Sequence, residues 1–215
     1  KVGFELFTSA GPVVVEALRQ ALESELPMQT LDLTTPVKAD FVEELFGMLP
    51  PSWADRARIQ FCGPTGSDGV EAALKLVRTA TGRNTLLAFQ GAYHGMTQGA
   101  LQLMGNLKPK VSLGGLSGVQ FLPYPYSYRC PFGLGGRSGD QAGLHYIKAL
   151  LEDPEGGVPA PAGVILEVIQ GEGGVIPASG EWLRGLREIC TKARVPLILD
   201  AVQPGFVRTG RHFAT

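Results

Sequence analysis

The sequence predicts an α/β fold, a mostly parallel sheet with helices on both faces. Three observations carry this. Short apolar, β-branched runs alternate with helical periodicities along the chain, the pattern of strands joined by crossover helices. Runs such as Val164-Ile165-Leu166 and Leu197-Ile198-Leu199 are apolar at successive positions rather than alternate ones, as strands buried on both faces require. The polar, glycine-rich stretches fall just after these runs, where such sheets bind ligands.

In chain order, Val14, Leu18, Leu22 and Leu26 recur every four residues and predict a helix over residues 12–26. A second short helix is expected over residues 40–48, with Asp40 as its N-cap. Residues 58–62 read as a strand that breaks at Gly63-Pro64-Thr65-Gly66-Ser67. Val70, Ala73, Leu74 and Val77 then mark a strong helix. Strands are expected at residues 85–89 and 119–122, the first ending in the turn Gln90-Gly91-Ala92-Tyr93-His94-Gly95. Residues 133–139 form a glycine-rich loop without the G-x-G-x-x-G spacing, which excludes a dinucleotide role. A helix at 141–151, a buried strand at 162–169, a helix at 180–193 and a strand at 197–200 complete the series.

Composition narrows the function. The chain has 215 residues, is 44% hydrophobic and carries a formal charge of −1 without a basic run. It can bury a core, and it lacks the electrostatic footprint of a nucleic-acid or anionic-membrane partner. Cys62, Cys130 and Cys190 are scattered with no C-x-x-C pair, and the three histidines do not cluster. Reduced thiols, no metal site and a cytoplasmic location are the expectation. No apolar run approaches a membrane span. The start without Met and the stop at Thr215 read as cut ends.

The chemistry-bearing residues lie at successive strand ends. Gly66 and Ser67 open a helix directly after a strand-like run, where backbone N–H groups and the helix dipole bind a phosphate monoester without Lys or Arg. The Thr65 hydroxyl is a possible further donor; alone, the segment also fits an ordinary helix start capped by Ser67 or Asp68. No Lys follows the glycine, so a nucleotide triphosphate is not expected. Tyr93 can lie flat on a planar ligand, with Gly95 allowing close backbone approach. Glu167 ends an apolar strand and must face a polar pocket, while Glu172 sits in a glycine-rich loop as a gate or ion-pair candidate. Asp200 ends the run Pro196-Leu197-Ile198-Leu199, and Gln203 follows. An acid held there can keep a proton on a buried heterocyclic nitrogen. Phosphate cradle, stacking aromatic and strand-end acid together describe a pocket for pyridoxal 5′-phosphate. His145 and His212 read as structural or solvated.

These motifs resemble the class III aminotransferases of fold type I. The resemblance rests on Thr65-Gly66-Ser67-Asp68-Gly69-Val70-Glu71-Ala72-Ala73-Leu74-Lys75-Leu76-Val77-Arg78, Gly91-Ala92-Tyr93-His94-Gly95-Met96, Glu167-Val168-Ile169-Gln170-Gly171-Glu172-Gly173-Gly174 and Leu199-Asp200-Ala201-Val202-Gln203-Pro204-Gly205-Phe206-Val207-Arg208-Thr209-Gly210. They are collinear from about residue 12 to residue 211. The stretches Gln29-Thr30-Leu31-Asp32-Leu33-Thr34-Thr35-Pro36 and Pro123-Tyr124-Pro125-Tyr126-Ser127-Tyr128-Arg129-Cys130-Pro131-Phe132-Gly133 are more narrowly similar to diaminobutyrate–2-oxoglutarate aminotransferases.

The resemblance implies an N-terminal segment over residues 1–30 and a partial cofactor-binding large domain over residues 31–215. It implies that Gly66 and Ser67 hold the cofactor phosphate, Tyr93 stacks on the ring with His94 beside it, Asp200 pairs with the ring nitrogen and Gln203 reaches the ring hydroxyl. Glu167 joins the polar network near the cofactor, and Glu172 matches a carboxylate that pairs with an arginine and serves substrate binding. The implied reaction moves an amino group from glutamate to aspartate semialdehyde, giving 2,4-diaminobutyrate, or runs in reverse. The substrates are thus small amino and oxo acids, and the complete protein is expected to be a homodimer.

Departures from the family pattern are Ala201 for Glu, Val168 for Pro and Val207 for Gly. The family's Schiff-base lysine falls downstream of Asp-x-x-Gln, and none of Lys1, Lys38, Lys75, Lys108, Lys110, Lys148 and Lys192 matches it. The resemblance therefore assigns no catalytic residue to this chain. Two other readings stay open from sequence: a non-catalytic domain that binds a phosphate ligand or a protein partner, and a phosphate-binding enzyme such as a sugar-phosphate enzyme.

Overall fold

The structure is a computed structural model that describes residues 11–27, 32–113 and 118–214. The chain divides into two compact units, residues 1–61 and 62–215. The boundary expected between residues 30 and 31 lies outside the described residues.

The first unit is helical. Helix α1 (Pro12–Glu23) opens with Pro at its first position and stops short of Leu26, because Glu25 turns left-handed at φ 54°. Helix α2 (Pro36–Met48) starts four residues before the expected point. Thr35, not Asp40, is its cap, its side chain accepting from the Lys38 amide. Thr-Pro at a helix entry combines a side-chain acceptor with a residue needing no N–H partner. A single turn, α3 (Pro51–Ala54), follows. The expected strand at residues 58–62 does not form; its apolar residues have no ladder to join among the described strands.

The second unit holds a four-stranded parallel sheet of β1 (Leu86–Phe89), β2 (Val119–Leu122), β3 (Gly163–Glu167) and β6 (Leu197–Asp200), in the order β2-β1-β3-β6. Its helices are α4 (Gly66–Thr81), α5 (Gln98–Gln102), α6 (Gly136–Glu152) and α7 (Gly180–Lys192). Each inner strand divides its side chains between two cores. Leu86, Ala88 and Ile165 pack with Val70, Leu74 and Val77 of α4 and Ala100 of α5. Leu87, Phe89, Val164 and Leu166 face Ile147 of α6 and Trp182, Leu186 and Cys190 of α7. Phe89 meets Trp182 and Tyr124 edge-on at centroid distances of 5.6 and 5.8 Å. This two-sided burial is why the strands read as continuous apolar runs rather than alternating ones.

Helix α6 begins at Gly136, inside the stretch expected to be loop. Gly135 caps it in extended conformation, and Gly139 packs so closely on Cys130 and Leu134 that no side chain fits. Those glycines serve helix entry and packing, not a flexible loop. The strand expected through residue 169 breaks at Val168. A separate two-stranded antiparallel pair follows, β4 (Ile169–Gln170) with β5 (Ile176–Pro177). The Tyr124 hydroxyl lies 2.9 and 3.1 Å from the carbonyl oxygens of Glu167 and Val168, holding the break from below. Burial raises that phenol well above its ordinary pKa, so it is a permanent donor.

The chain leaves β1 toward β2 on one side, then returns to place β3 and β6 on the other. This reversal opens a crevice at the carboxyl ends of β1 and β3, the usual ligand position in open α/β sheets.

Candidate functional site

Three loops and one helix start converge on that crevice. The helix start is α4. Thr65 adopts extended dihedrals and caps it: its hydroxyl accepts from the Asp68 amide at 3.2 Å, while the Asp68 carboxylate accepts from the Thr65 amide at 3.1 Å and its hydroxyl at 2.9 Å. The cap is therefore Thr65 rather than Ser67 or Asp68, and its hydroxyl is committed within the helix. The T-x-x-D spacing at 65–68 is the capping-box signature that would have identified it. A capped helix still leaves its first amides without intrahelical acceptors. Here those are Gly66 and Ser67, and both line the crevice.

From β1, Tyr93 and His94 enter the same crevice. His94 is fully buried through its side chain, and its Nδ1 lies 2.8 Å from Oδ2 of Asp200. Its Nε2 is buried with no hydrogen-bond partner. Gly95 sits at φ 120°, where a Cβ would collide with the Ser67 hydroxyl. At this position glycine is required both for the backbone conformation and for the close approach of the two loops.

From β3 and β6 come two carboxylates at paired register positions, Glu167 opposite Asp200. Glu167 is 4% exposed. Its Oε1 accepts from the Tyr93 amide at 3.0 Å and its Oε2 from the Gly171 amide at 2.9 Å. Burial raises its pKa above the ordinary carboxylate range; the two amides and His94 oppose that rise, and the Asp200 charge adds to it. Asp200 uses Oδ1 to accept from the Val202 amide at 3.0 Å and Oδ2 for His94.

The crevice encloses about 150 Å³. Gly66, Ser67, Tyr93, His94, Glu167, Asp200 and Gln203 all line it. Glu172 faces a neighbouring cavity of about 460 Å³ that shares Tyr93 as a wall. Gln203 passes so close to Gly171 that no side chain fits there, and its Nε2 lies 3.5 Å from Glu172 Oε1. Sequence reasoning missed Val202, whose methyl groups press on Gly66 at 2.8 Å from where a Cβ would stand; only its place between Asp200 and Gln203 signalled it. Among the described residues no cluster of metal-ligating side chains occurs, and no helix is long and apolar enough to cross a membrane. His145 and His212 are exposed. Burial pushes the Cys190 thiol up to about 11, which makes it a poor nucleophile.

Comparison with known proteins places these features in context. The family model described as Aminotransferase class-III matches residues 9–215. A diaminobutyrate–2-oxoglutarate aminotransferase of Rhizobium meliloti is 57% identical over 94% of this chain, and one of Haemophilus influenzae 51% identical over the same share. The chain spans 43% and 44% of the length of those two relatives. Among solved structures, an amine transaminase from an uncultivated Pseudomonas species in its PLP-bound form aligns with a TM-score of 0.77 at 30% identity. That alignment covers 93% of this chain and 46% of the other. The taurine:2-oxoglutarate aminotransferase of Bifidobacterium kashiwanohense, in complex with PLP and glutamate, aligns with a TM-score of 0.76 at 28% identity, covering 94% and 45%.

Proposed function

This chain belongs to the class III aminotransferase family, and we propose that its sheet-edge crevice is the pyridoxal 5′-phosphate site of an enzyme moving an amino group between glutamate and aspartate semialdehyde. The products would be 2-oxoglutarate and 2,4-diaminobutyrate, with the reverse reaction equally served. The substrate pair rests on the names carried by the relatives from Rhizobium meliloti and Haemophilus influenzae.

The observation that carries the cofactor reading is the position of Asp200. Its carboxylate ends β6 inside the crevice that also holds the first-turn amides of α4 and the Tyr93 ring. A phosphate fits the Gly66 and Ser67 amides, whose dipole end is positive and needs no lysine. The absence of a Cβ at Gly95 keeps that approach open. Tyr93, His94 and Val202 line the same crevice, so an aromatic ring is at hand to stack on a planar group. The chemistry pyridoxal phosphate supplies when bound is an amino-group carrier and an electron sink for the substrate carbon.

The chain's own residues would divide that work. Asp200 holds the proton on the ring nitrogen, and His94 orients Asp200 through Nδ1. Gln203 lies within the crevice for the ring hydroxyl. Glu172, in the adjoining cavity, stands where substrate carboxylates or amines would pass. Family membership sets aside the sugar-phosphate alternative. In keeping with the family's architecture, we propose a homodimer for the complete protein.

The test is direct. The full-length protein is titrated with pyridoxal 5′-phosphate by absorbance and assayed for 2-oxoglutarate release from glutamate and aspartate semialdehyde. A cofactor absorbance band with turnover of this pair supports the reading. Cofactor binding with turnover of other amines only would overturn the substrate assignment, and no binding would overturn the cofactor site.

A further inference from the structure

We propose that Glu167 is a positioning residue that braces the ring-stacking loop and the substrate-facing loop to one another, rather than a ligand of the cofactor. The proposal rests on the cofactor reading above for its consequence, though not for its geometry.

Each Glu167 oxygen has its own backbone partner. Oε1 accepts from Tyr93 N in the loop after β1, and Oε2 accepts from Gly171 N in the loop after β4. These partners lie 74 residues upstream and 4 residues downstream, so one side chain ties two segments that share no ladder. Neighbours of both amides are functional candidates: Tyr93 carries its own ring into the crevice, and Gly171 precedes Glu172. The same Gly171 is where Gln203 packs against bare backbone.

A carboxylate is the only side chain of this length with acceptors at both ends of its head group. An amide would offer one acceptor and turn a second N–H toward a backbone N–H, so one loop would be left unheld. The shorter Asp would lose reach by one methylene. Its neighbour in register, Asp200, makes the contrast: it accepts one local amide, and its other oxygen meets His94. Glu167 lines the crevice but is only 4% exposed. Its two oxygens are engaged before any ligand arrives.

The brace has a consequence for specificity. Tyr93 is a wall of both the crevice and the 460 Å³ cavity lined by Glu172. Fixing the Tyr93 and Gly171 amides to one carboxylate fixes the spacing between stacking ring and substrate-facing carboxylate.

The test uses the cofactor-free full-length protein and its Glu167→Gln variant, followed by amide hydrogen exchange. In the wild type, the Tyr93 and Gly171 amides should exchange in the slow class with the sheet. In the variant, at least one of the two should exchange about tenfold faster or more, as expected for one lost hydrogen bond, while amides of α4 around Leu74 stay protected. Added pyridoxal 5′-phosphate should then show a weakened visible circular-dichroism band in the variant, reporting a less fixed ring environment. If both amides keep their protection in the variant, the brace is wrong. If the variant does not fold, the wild type alone decides, because exchange of Tyr93 and Gly171 at free-loop rates overturns the proposal. Failure of the wild type to bind the cofactor would sink the cofactor reading and leave the exchange result to judge the brace separately.

Discussion

The tips of β3 and β6 carry the same chemistry to the same level of the sheet and use it differently. Glu167 and Asp200 are register partners in adjacent parallel strands. β3 is an inner strand with every residue buried, whereas all of β6 is half-buried. The β3 tip is followed by a tightly tied loop, in which Glu167 accepts two backbone amides and Tyr124 bonds the carbonyls behind it. The β6 tip runs into an exposed turn, with Phe206 and Val207 in left-handed conformation at φ 50° and 67°. An inner tip can be locked by surrounding backbone and serve as a brace. At the β6 tip Asp200 is held by the Val202 amide and by His94, and in the proposed function it is the acid that faces the ligand.

The sharpest way to break this contrast is Asp200→Ala in the full-length protein. If Asp200 is the ligand-facing acid, cofactor-supported turnover should fall about 10²- to 10³-fold, the usual effect of removing a preorganised electrostatic partner. A loss confined to stability, with turnover per bound cofactor intact, would reduce Asp200 to a second brace.

Gly95→Ala comes next. A side chain there meets the Ser67 hydroxyl at a backbone angle that disfavours it, and the strain of about 1–3 kcal/mol should appear as weaker phosphate and cofactor binding. Calorimetric titration checks it; unchanged affinity would mean the two loops need not approach.

Glu167 should also show itself in pH dependence. Its pKa is raised in the folded chain by burial, so the folded state holds this proton more tightly than the unfolded one. Its contribution to stability is complete below the ordinary carboxylate value and is lost as pH rises through the folded value. Urea-unfolding midpoints from about pH 4.5 to about pH 8 should therefore fall more in the wild type than in Glu167→Gln. Parallel curves would show that burial is not what sets this group apart from Asp200.

The smallest effect is expected from Val207→Gly. A β-branched residue at φ 67° carries strain of about 1–2 kcal/mol, which glycine relieves at some cost in unfolded-chain entropy. A modest rise in thermal midpoint would confirm that the β6 turn, unlike the β3 loop, is strained rather than braced. The Ala201 departure finds no explanation in the structure.

Much of this was legible in the sequence. Period and punctuation located α4, β1, β2, β3 and α7 closely, because apolar runs bounded by Gly, Pro and Asn report local conformational preference directly. Reading failed where local signals compete. Residues 58–62 have strand-like composition but no neighbouring ladder. Asp40 loses its cap role to Thr35 because Pro36 sets the helix start. The glycines at 135, 136 and 139 read as loop, although Gly135 and Gly136 stand at the start of α6 and Gly139 packs on Cys130 and Leu134.

The sequence by itself determined that acids and an aromatic would stand at strand ends and that two amides would open a helix at Gly66, since strand period and helix capping are local properties. Only the tertiary structure decided their partners. His94 meets Asp200 across 106 residues, and Glu167 reaches Tyr93 across 74. Those distances are closed by sheet order and register, which arise from burying two apolar faces at once. The strand carrying Asp200 could announce a carboxylate, but its neighbour's buried oxygens were needed to tell which acid braces the pocket and which one faces it.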